Sequence, residues 1–349
     1  MRNFFDLTIT ELESAIGAVG NEKYRARQLY QWVYNKGVLD FSQMTNISKG
    51  LRTLFAGMFD TRLMAVEQAL ASGDGSAKFA LAGSDGKIIE SVLMPDKDRN
   101  TLCLSTQIGC RMGCRFCVTG KMGFVRNLSV SEIVGQVMAV KAYLPGERIT
   151  NIVFMGMGEP LDNMDNLFKA LQILKHPMGL DFSHRRVTIS SVGLLDGLQR
   201  LEPKIAGIAI SLNAADEATR SSLMPINRLY PIRELINFVK EFKGSNRTRI
   251  TFEYVLLKGI NDSLEDAASL VHLLKGVKCK INLIPYNESA YLDFRAPDPV
   301  AVEAFQQFLL DKRFTTIIRD SRARDVCGGC GQLGMRYLEE KQHGSASGL

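Results

Sequence analysis

Three cysteines in eight residues, Cys110, Cys114 and Cys117, stand as Cys-x3-Cys-x2-Cys inside the segment Gln107 to Gly120. Three thiolates at that spacing can each take one iron of a cubane iron–sulfur cluster. The fourth iron then has no protein ligand from the triad, and an open iron can bind a substrate. Iron–sulfur clusters are usually held by four cysteines, so an odd triad is informative in itself. The competing reading is structural zinc, which wants four N or S ligands, usually in two paired halves. No second Cys-x2-Cys or His pair stands nearby to complete one.

Other residues carry chemistry of their own. Met155-Gly-Met-Gly-Glu-Pro160 follows an apolar run that reads as a strand. Gly156 and Gly158 let the backbone approach a ligand closely. Glu159 offers a carboxylate suited to an ammonium group, and Pro160 ends the strand. Alone, Gly-Glu-Pro is equally a turn. Near the C-terminus, Asp325-Val-Cys-Gly-Gly-Cys-Gly-Gln-Leu333 contains a Cys-x2-Cys. That pattern serves zinc or redox chemistry, or is a loop with incidental thiols. Its glycines suggest a tight, flexible segment able to carry Cys330 over a neighbouring site. Cys103 lies in a strand just before the triad. Cys279, inside another strand, reads as core.

These groups need a scaffold that gathers them. Residues 1–60 read as a compact helical unit, with helical spacing over Leu12 to Ile16 and Tyr24 to Tyr34 and a stop at Gly37. Leu29, Trp32 and Val33 form its apolar face. Arg25 and Arg27, set among aromatics, can contact phosphates or line a solvated face. Residues 61–102 read as a linker and a β-hairpin extension, with strands Lys78 to Leu81 and Ile88 to Met94 about the turn Ser84-Asp-Gly-Lys87. A third strand, Thr101 to Ser105, enters the cysteine loop. From 103 to 338, β and α patterns alternate. Ser129-Val-Ser-Glu132 is a capping box opening a helix with Ile133, Val137, Val140 and Leu144 on one face. Strands are expected at Asn151 to Met155, Arg186 to Ser190, Ile205 to Leu212, Arg249 to Leu257, Lys278 to Ile284 and Thr315 to Arg319. Repeated βα units imply parallel strands joined by right-handed crossovers. About six such units suit an α/β fold with an open, partial (βα)6 barrel. Its active site lies beyond the carboxyl ends of the strands, and the cysteine loop follows the first strand. Residues 339–349, Gly/Ser-rich after His343, are expected to form a mobile tail.

A chain of 349 residues can bury a large core in one or two domains. With 46% hydrophobic and 23% charged residues it is ordinary for a soluble globular protein. The start, Met1-Arg-Asn-Phe-Phe, has no signal-peptide h-region, and no apolar run reaches the ~18 residues of a membrane span. Seven cysteines, three of them clustered, fit a reduced compartment better than a disulfide framework. A cytoplasmic protein with no membrane partner is expected. The net charge of +6 is compatible with a polyanionic partner without requiring one.

The triad, with Met155 to Pro160 one βα unit later, resembles the signature of the radical S-adenosylmethionine (SAM) enzymes. In those, the amino and carboxyl groups of SAM chelate the open iron. From the N-terminal unit through Gln332, the chain further resembles the radical SAM adenine-C2 methyltransferases of 23S ribosomal RNA and transfer RNA. The residues that carry this are Cys103-Leu-Ser-Thr-Gln-Ile-Gly-Cys110, the triad, Met155 to Pro160, Arg185-Arg-Val-Thr-Ile-Ser190, Met224-Pro-Ile-Asn227, Ile281-Asn-Leu-Ile-Pro-Tyr-Asn287 and Cys330-Gly-Gln-Leu333.

The resemblance implies a [4Fe–4S] cluster on Cys110, Cys114 and Cys117. It implies SAM contacts by Gly158, Glu159, Ser190, Ser211, Leu212, Asn213 and Asn287. An adenine ring carbon is electron-poor, and the family route divides the problem as covalent catalysis does. Cys330 takes a methyl group from one SAM, and a radical made from a second SAM activates that methyl for addition to the ring. Cys103 then resolves the protein–RNA adduct, leaving a transient disulfide with Cys330. Glu90 matches the family's proton acceptor, although on residue type alone a strand Glu is more often an exposed face residue. The implied substrates are adenosine 2503 of 23S rRNA, in the peptidyl-transferase centre, and adenosine 37 of tRNA. The rRNA is expected as an assembly intermediate or free of protein, and a reducing donor such as flavodoxin is implied. A stacked base must leave its helix to reach a barrel mouth. Arg25, Arg27, Arg185 and Arg186 are the expected phosphate contacts. Two residues depart from the pattern. Asn213 stands where the family often has His, so SAM binding is expected to survive with a changed contact. Cys327 is an extra thiol, either inert or competing for a disulfide with Cys330 or Cys103.

Three alternatives stay open. The adenine-C8 methyltransferases that confer antibiotic resistance share the cluster, Cys103 and Cys330, although Ile281 to Asn287 and Phe314-Thr-Thr-Ile-Ile318 read closer to the C2 branch. A non-catalytic, metal-stabilised RNA-binding protein is a different class. A radical SAM enzyme acting on protein or small molecules is the third.

Overall fold

In the computed structural model, residues 1–202, 204–242 and 250–339 are described; Arg249 and the expected tail from 340 onward lie outside the described residues. The N-terminal unit holds helix α1 (Ile9–Gly17), α2 (Tyr24–Tyr30), which runs on as a π-helical turn over Gln31–Asn35, and α3 (Lys49–Met58). Thr8 and Glu11 cap α1 reciprocally. Two short parallel strands, β1 (Arg2–Asn3) and β2 (Phe59–Asp60), close the unit at its ends. Leu29 and Val33 are fully buried, and Trp32 is half-buried with its indole N–H on Asn46.

Residues 61–102 contain more structure than a linker and one hairpin. Strands β3 (Ala65–Ala71), β4 (Ala77–Ala82), β5 (Ile88–Asp96) and β6 (Arg99–Cys103) form an antiparallel run. The run is continuous with the barrel sheet, because β6 also pairs in parallel with β9 (Asn151–Phe154). Between those two strands lie β7 (Gln107–Gly109), α4 (Val118–Met122), β8 (Phe124–Asn127) and α5 (Val130–Tyr143). Parallel strands then follow as β10 (Val187–Ser191), β11 (Gly207–Ser211), β12 (Ile250–Leu256), β13 (Cys279–Pro285) and β14 (Thr315–Ile318). They are joined through α6 (Met164–Leu174), α7 (Leu195–Gln199), α8 (Glu217–Leu223), α9 (Ile232–Glu241), α10 (Leu264–Leu273) and α11 (Pro299–Asp311). Among the described residues, the sheet has ten strands in the order β14-β13-β12-β11-β10-β9-β6-β5-β4-β3. The expected six βα crossovers are present, and they link seven parallel strands because β14 ends the series without a helix of its own in the sheet.

Strands buried on both faces read as near-continuous apolar runs; Ile208 to Ile210 of β11 is of this kind, whereas β13 alternates, with Ile281 and Leu283 buried about Asn282. The capping box at Ser129 and Glu132 forms as expected. Helix α5 nonetheless buries Val134, Met138 and Ala139 besides the expected face. It is covered on two sides, by the sheet and by Phe4 and Phe5 of the N-terminal unit. Polar ties bind the same two parts. Asp6 accepts from the backbone of Ser131 at 2.7 Å, Lys141 donates to the Tyr34 carbonyl at 2.8 Å, and Lys169 meets Glu11 at 2.7 Å. Among the described residues, no helix is long and apolar enough to cross a membrane.

Candidate active site

The chain leaving β6, β9, β10, β11 and β12 at their carboxyl ends surrounds a cavity of about 800 Å³, its open mouth included. Cys114, Cys117, Gly158, Glu159 and Ser190 line it; so do Ser211, Asn213 and Cys330.

The triad loop is fixed from several sides. Gly109 holds a φ of +71°, where a side chain would strike the Gly123 carbonyl. The backbone N–H of Cys110 donates to Gly123 at 3.0 Å, Cys117 to Cys114 at 3.1 Å, and Arg115 to Leu223 of α8 at 2.9 Å. Val118 donates to Gly331 at 2.8 Å, which joins the triad loop to the loop carrying Cys330. Burial pushes the Cys110 thiol up to about 12 and raises Cys114 and Cys117 as well. Metal binding therefore displaces protons here. Among the described residues, no three His, Cys, Asp or Glu side chains converge on one metal ion. A cubane makes a different demand, since each thiolate binds its own iron. With two of the three thiols on the cavity wall, the fourth iron of such a cluster would face the cavity.

Glu159 is 3% exposed, and burial pushes its carboxyl up to about 7. One oxygen accepts from the Val192 N–H at 2.9 Å and the other from Leu161 at 3.1 Å. Pro160 opens a 3-10 turn over Pro160–Asn163 with Glu159 as its cap. Gly156 and Gly158 line the cavity, but their tightest approach is to protein. A side chain at Gly156 would meet the Leu104 carbonyl, and one at Gly158, at φ +98°, would meet Gln107. Asn213 adopts φ +59°, a left-handed conformation that Asn tolerates better than most residues. Its Oδ1 accepts from Val255 at 2.9 Å, and its carbonyl accepts from Asn261 at 2.7 Å. Leu212 lies in the core, with its N–H donated to the Glu253 carbonyl and its own carbonyl bonded by Arg220. Two wall residues, Glu253 and Tyr286, carry buried oxygens without a hydrogen-bond partner. Those unsatisfied oxygens suit a ligand with several hydrogen-bonding groups, as SAM is.

A second cavity, of about 500 Å³ with its open mouth included, shares Met155, Ile284, Arg319 and Cys330 with the first, and Cys103 lines it as well. Cys330 therefore faces both spaces. All seven cysteines are free thiols. Burial pushes Cys103 up to about 12 and raises Cys330, and the Arg319 guanidinium opposes both shifts. Arg319 lines both cavities and approaches Glu253 at 3.9 Å. Neither was singled out from sequence, yet each is a charge in an otherwise apolar strand or at its end, which is the signal that marks them.

Asn287 does not line either cavity. It donates to the Cys330 carbonyl at 3.0 Å and to Ser321 at 2.8 Å, so it holds the cysteine loop. Glu90 also lies outside both linings. It is 2% exposed rather than on a solvated strand face, because β5 is covered by the C-terminal loop. Its carboxylate takes the Lys78 ammonium at 3.1 Å and the Gly334 N–H at 2.6 Å. Lys78 also reaches the Cys327 carbonyl at 3.4 Å. Cys327 is half-buried and lines neither cavity; Cys279 is buried in the core. Arg185 and Arg186 are exposed just before β10, at the opposite end of that strand from the cavity. Arg27 faces Glu13 at 3.6 Å, and Arg25 donates to Gln28 at 2.8 Å.

Residues 104–271 match the family model of the radical SAM superfamily, and residues 2–59 match that of the ribosomal RNA large subunit methyltransferase N-terminal domain. The dual-specificity RNA methyltransferase RlmN of Geobacter sulfurreducens is 46% identical over 94% of this chain and 90% of its own length. That of Syntrophus aciditrophicus is 44% identical over 97% and 98%. The chain belongs to the RlmN family. A crystallised radical SAM methyltransferase from Sphaerobacter thermophilus is 40% identical, covers 95% of this chain and 99% of its own, and superposes with a TM-score of 0.90. The RlmN family assignment and that fold explain why a helical unit, an antiparallel extension and a parallel barrel share one chain. As a radical SAM protein, it has a triad whose donor set fits a [4Fe–4S] cluster and a cavity whose wall fits SAM.

Proposed function

We propose that this chain is a radical SAM methyltransferase that methylates C2 of adenosine in RNA. The targets are adenosine 2503 of 23S rRNA, as an assembly intermediate or protein-free RNA, and adenosine 37 of tRNA. The observation that carries the reading is the position of Cys330, which faces both the cavity lined by Cys114, Cys117 and Glu159 and the one lined by Cys103.

Cys110, Cys114 and Cys117 would hold the cluster, which with SAM would supply the radical that activates an unreactive C–H bond. Glu159 receives the SAM ammonium. Gly158, Ser190, Ser211 and Asn213 shape the wall around it, with Leu212 fixing the backbone between two of them. Two SAM molecules serve each turnover, one of them as methyl donor to the Cys330 sulfur. The methyl carbon joins the adenine ring while still on that sulfur. The odd-electron adduct would give one electron back to the redox centre and its ring proton to a base. Attack by the Cys103 thiolate on the Cys330 sulfur would then break the sulfur–methylene bond, form a transient Cys103–Cys330 disulfide, and free the methylene carbon to take a proton and become the product methyl. Cys103 is buried and Cys330 half-buried, which limits the access of water and stray reductants to the exchange. Asn287 acts through the Cys330 carbonyl as a positioning residue. Glu90 accepts the ring proton only once the loop at 327–334 lifts and frees the oxygen that Gly334 occupies, while Lys78, on the neighbouring strand, stays beside the other.

Residues 1–60 serve as the RNA-binding accessory domain, 61–102 as the extension and 103–338 as the barrel. A reducing protein such as flavodoxin supplies electrons, and the enzyme works in the cytoplasm. Anaerobic incubation with rRNA and tRNA fragments and labelled SAM, followed by nucleoside mass spectrometry, tests the reading. The expected product is 2-methyladenosine. A main product of 8-methyladenosine would place the chain on the C8 branch, and unmodified RNA with a reconstituted cluster would refute RNA methylation.

A further inference from the structure

Arg220 is 1% exposed and heads the described side chains buried to that degree by size. Its guanidinium donates to the carbonyls of Leu212 at 3.0 Å, Val192 at 2.7 Å and Ser211 at 3.4 Å, and to Asn227 Oδ1 at 2.7 Å. All four acceptors are neutral. Among the described residues, no carboxylate lies within 4.0 Å of it. The nearest acid on its own helix, Glu217, is exposed and gives its oxygen to Asn227 instead, at 2.7 Å. A cation removed from water without a counter-ion is costly, and folded proteins keep one only where a charge of opposite sign answers it.

Two charges reach Arg220 through space, that of Cys114 first and that of Glu217 second, and Glu217 is exposed, so solvent screens it. The two are held together mechanically as well, since Arg115 is bonded to Leu223 at the end of the helix that carries Arg220. Val192 and Ser211, whose carbonyls the guanidinium grips, line the cavity that the cluster would face. The fixed charge therefore sits behind the wall that the triad completes.

We propose that Arg220 is the buried counter-charge of the iron–sulfur cluster, balancing the anionic cluster–thiolate unit and raising its reduction potential. The inference rests on the cluster assignment made above. Uptake of one electron, from a low-potential one-electron reductant, makes the unit one charge more negative. A fixed cation in a low-dielectric site stabilises that reduced form more than the oxidised one. Arg220 is in this sense a positioning residue with an electrostatic effect, and it touches no substrate.

The test uses the full chain, reconstituted anaerobically with iron and sulfide, and titrated with dithionite in the presence of mediator dyes while the cluster is followed by EPR. Arg220→Gln removes the charge and Arg220→Lys keeps it. A third variant, Asn227→Asp with Glu217→Gln, preserves net charge but moves a carboxylate from solvent onto Arg220. The Gln variant and the double variant are expected to shift the ratio of reduced to oxidised cluster at least tenfold toward oxidised at fixed poise, which is about 59 mV for one electron. The Lys variant is expected to stay near the parent. Iron loss in the Gln variant with retention in the Lys variant also supports the counter-charge. Potentials equal to the parent in both the Gln and the double variants overturn it, as does a Lys variant that shifts with the Gln variant. Should the Gln variant fail to fold, the double variant alone decides. A parent that binds no [4Fe–4S] cluster would instead sink the cluster assignment, which is a separate and recognisable result.

Discussion

Glu159 shows how a site residue costs the apo protein stability. Its carboxyl ionises near 4.5 in water and near 7 in the fold, because burial penalises the charge. Between those pH values the folded protein keeps a proton that the unfolded chain has released. Stability therefore falls as pH rises through that window, by up to about 3 kcal/mol by linkage. Glu159→Gln should abolish this fall and make the apo protein more stable than the parent at pH 8, as read by denaturant unfolding at pH 5 and pH 8. The same variant should bind SAM at least about tenfold more weakly in calorimetry, since a charge-assisted hydrogen bond is lost. An unchanged pH dependence would contradict the assignment of the shift to this carboxylate. For Cys330→Ala, RNA methylation should vanish while reductive cleavage of SAM continues, measured as 5′-deoxyadenosine release. Full methylation by that variant would rule out the methyl carrier. At this scale the sequence revealed the thiols and Glu159 through spacing and type. It did not reveal Arg220, Glu253 or Arg319, whose importance comes from which side of a strand or helix is enclosed.

The elements were legible wherever one rule dominated. Apolar runs between turn signals marked β9 to β14, and the Ser129 capping box marked the start of α5. Strand β3 escaped because Ala65–Ala71 has neither alternation nor a β-branched run beyond Val66, and most of it stays exposed. Pairing with β4 makes it a strand, which no local pattern can announce. The antiparallel run was likewise read as an appendage because sequence does not show that β6 belongs to both halves of one sheet. Within the triad loop, Gly109 meets a backbone demand that no other residue meets. Gly109→Ala should cut iron incorporation after anaerobic reconstitution by more than half, while leaving far-UV circular dichroism near the parent. Normal iron content in that variant would show that the Gly109–Gly123 contact can relax at little cost.

At the level of the whole molecule, the N-terminal unit is joined to the barrel by an apolar contact over α5 and by ties from Asp6, Glu11 and Tyr34. Tyr30 packs against His176 beyond the end of α6. A unit so anchored should not melt by itself, and differential scanning calorimetry is expected to show one cooperative transition. Two well-separated transitions would mean that the unit moves as an independent domain. The loop bearing Cys330 is pinned in a comparable way by residues far away in sequence. Asp325 bonds Ser72 and Gly73, Ala323 bonds Asp74, Lys78 bonds Cys327, and Glu90 bonds Gly334, spanning between 244 and 253 residues. Contacts of such separation close late, because loop entropy must be lost before they return anything. During synthesis, the early strands must wait until about 250 further residues have been made before this loop can dock. A nascent polypeptide whose 323–334 segment is not yet made therefore carries an unfinished pocket, with the partners of that loop on the early strands left waiting.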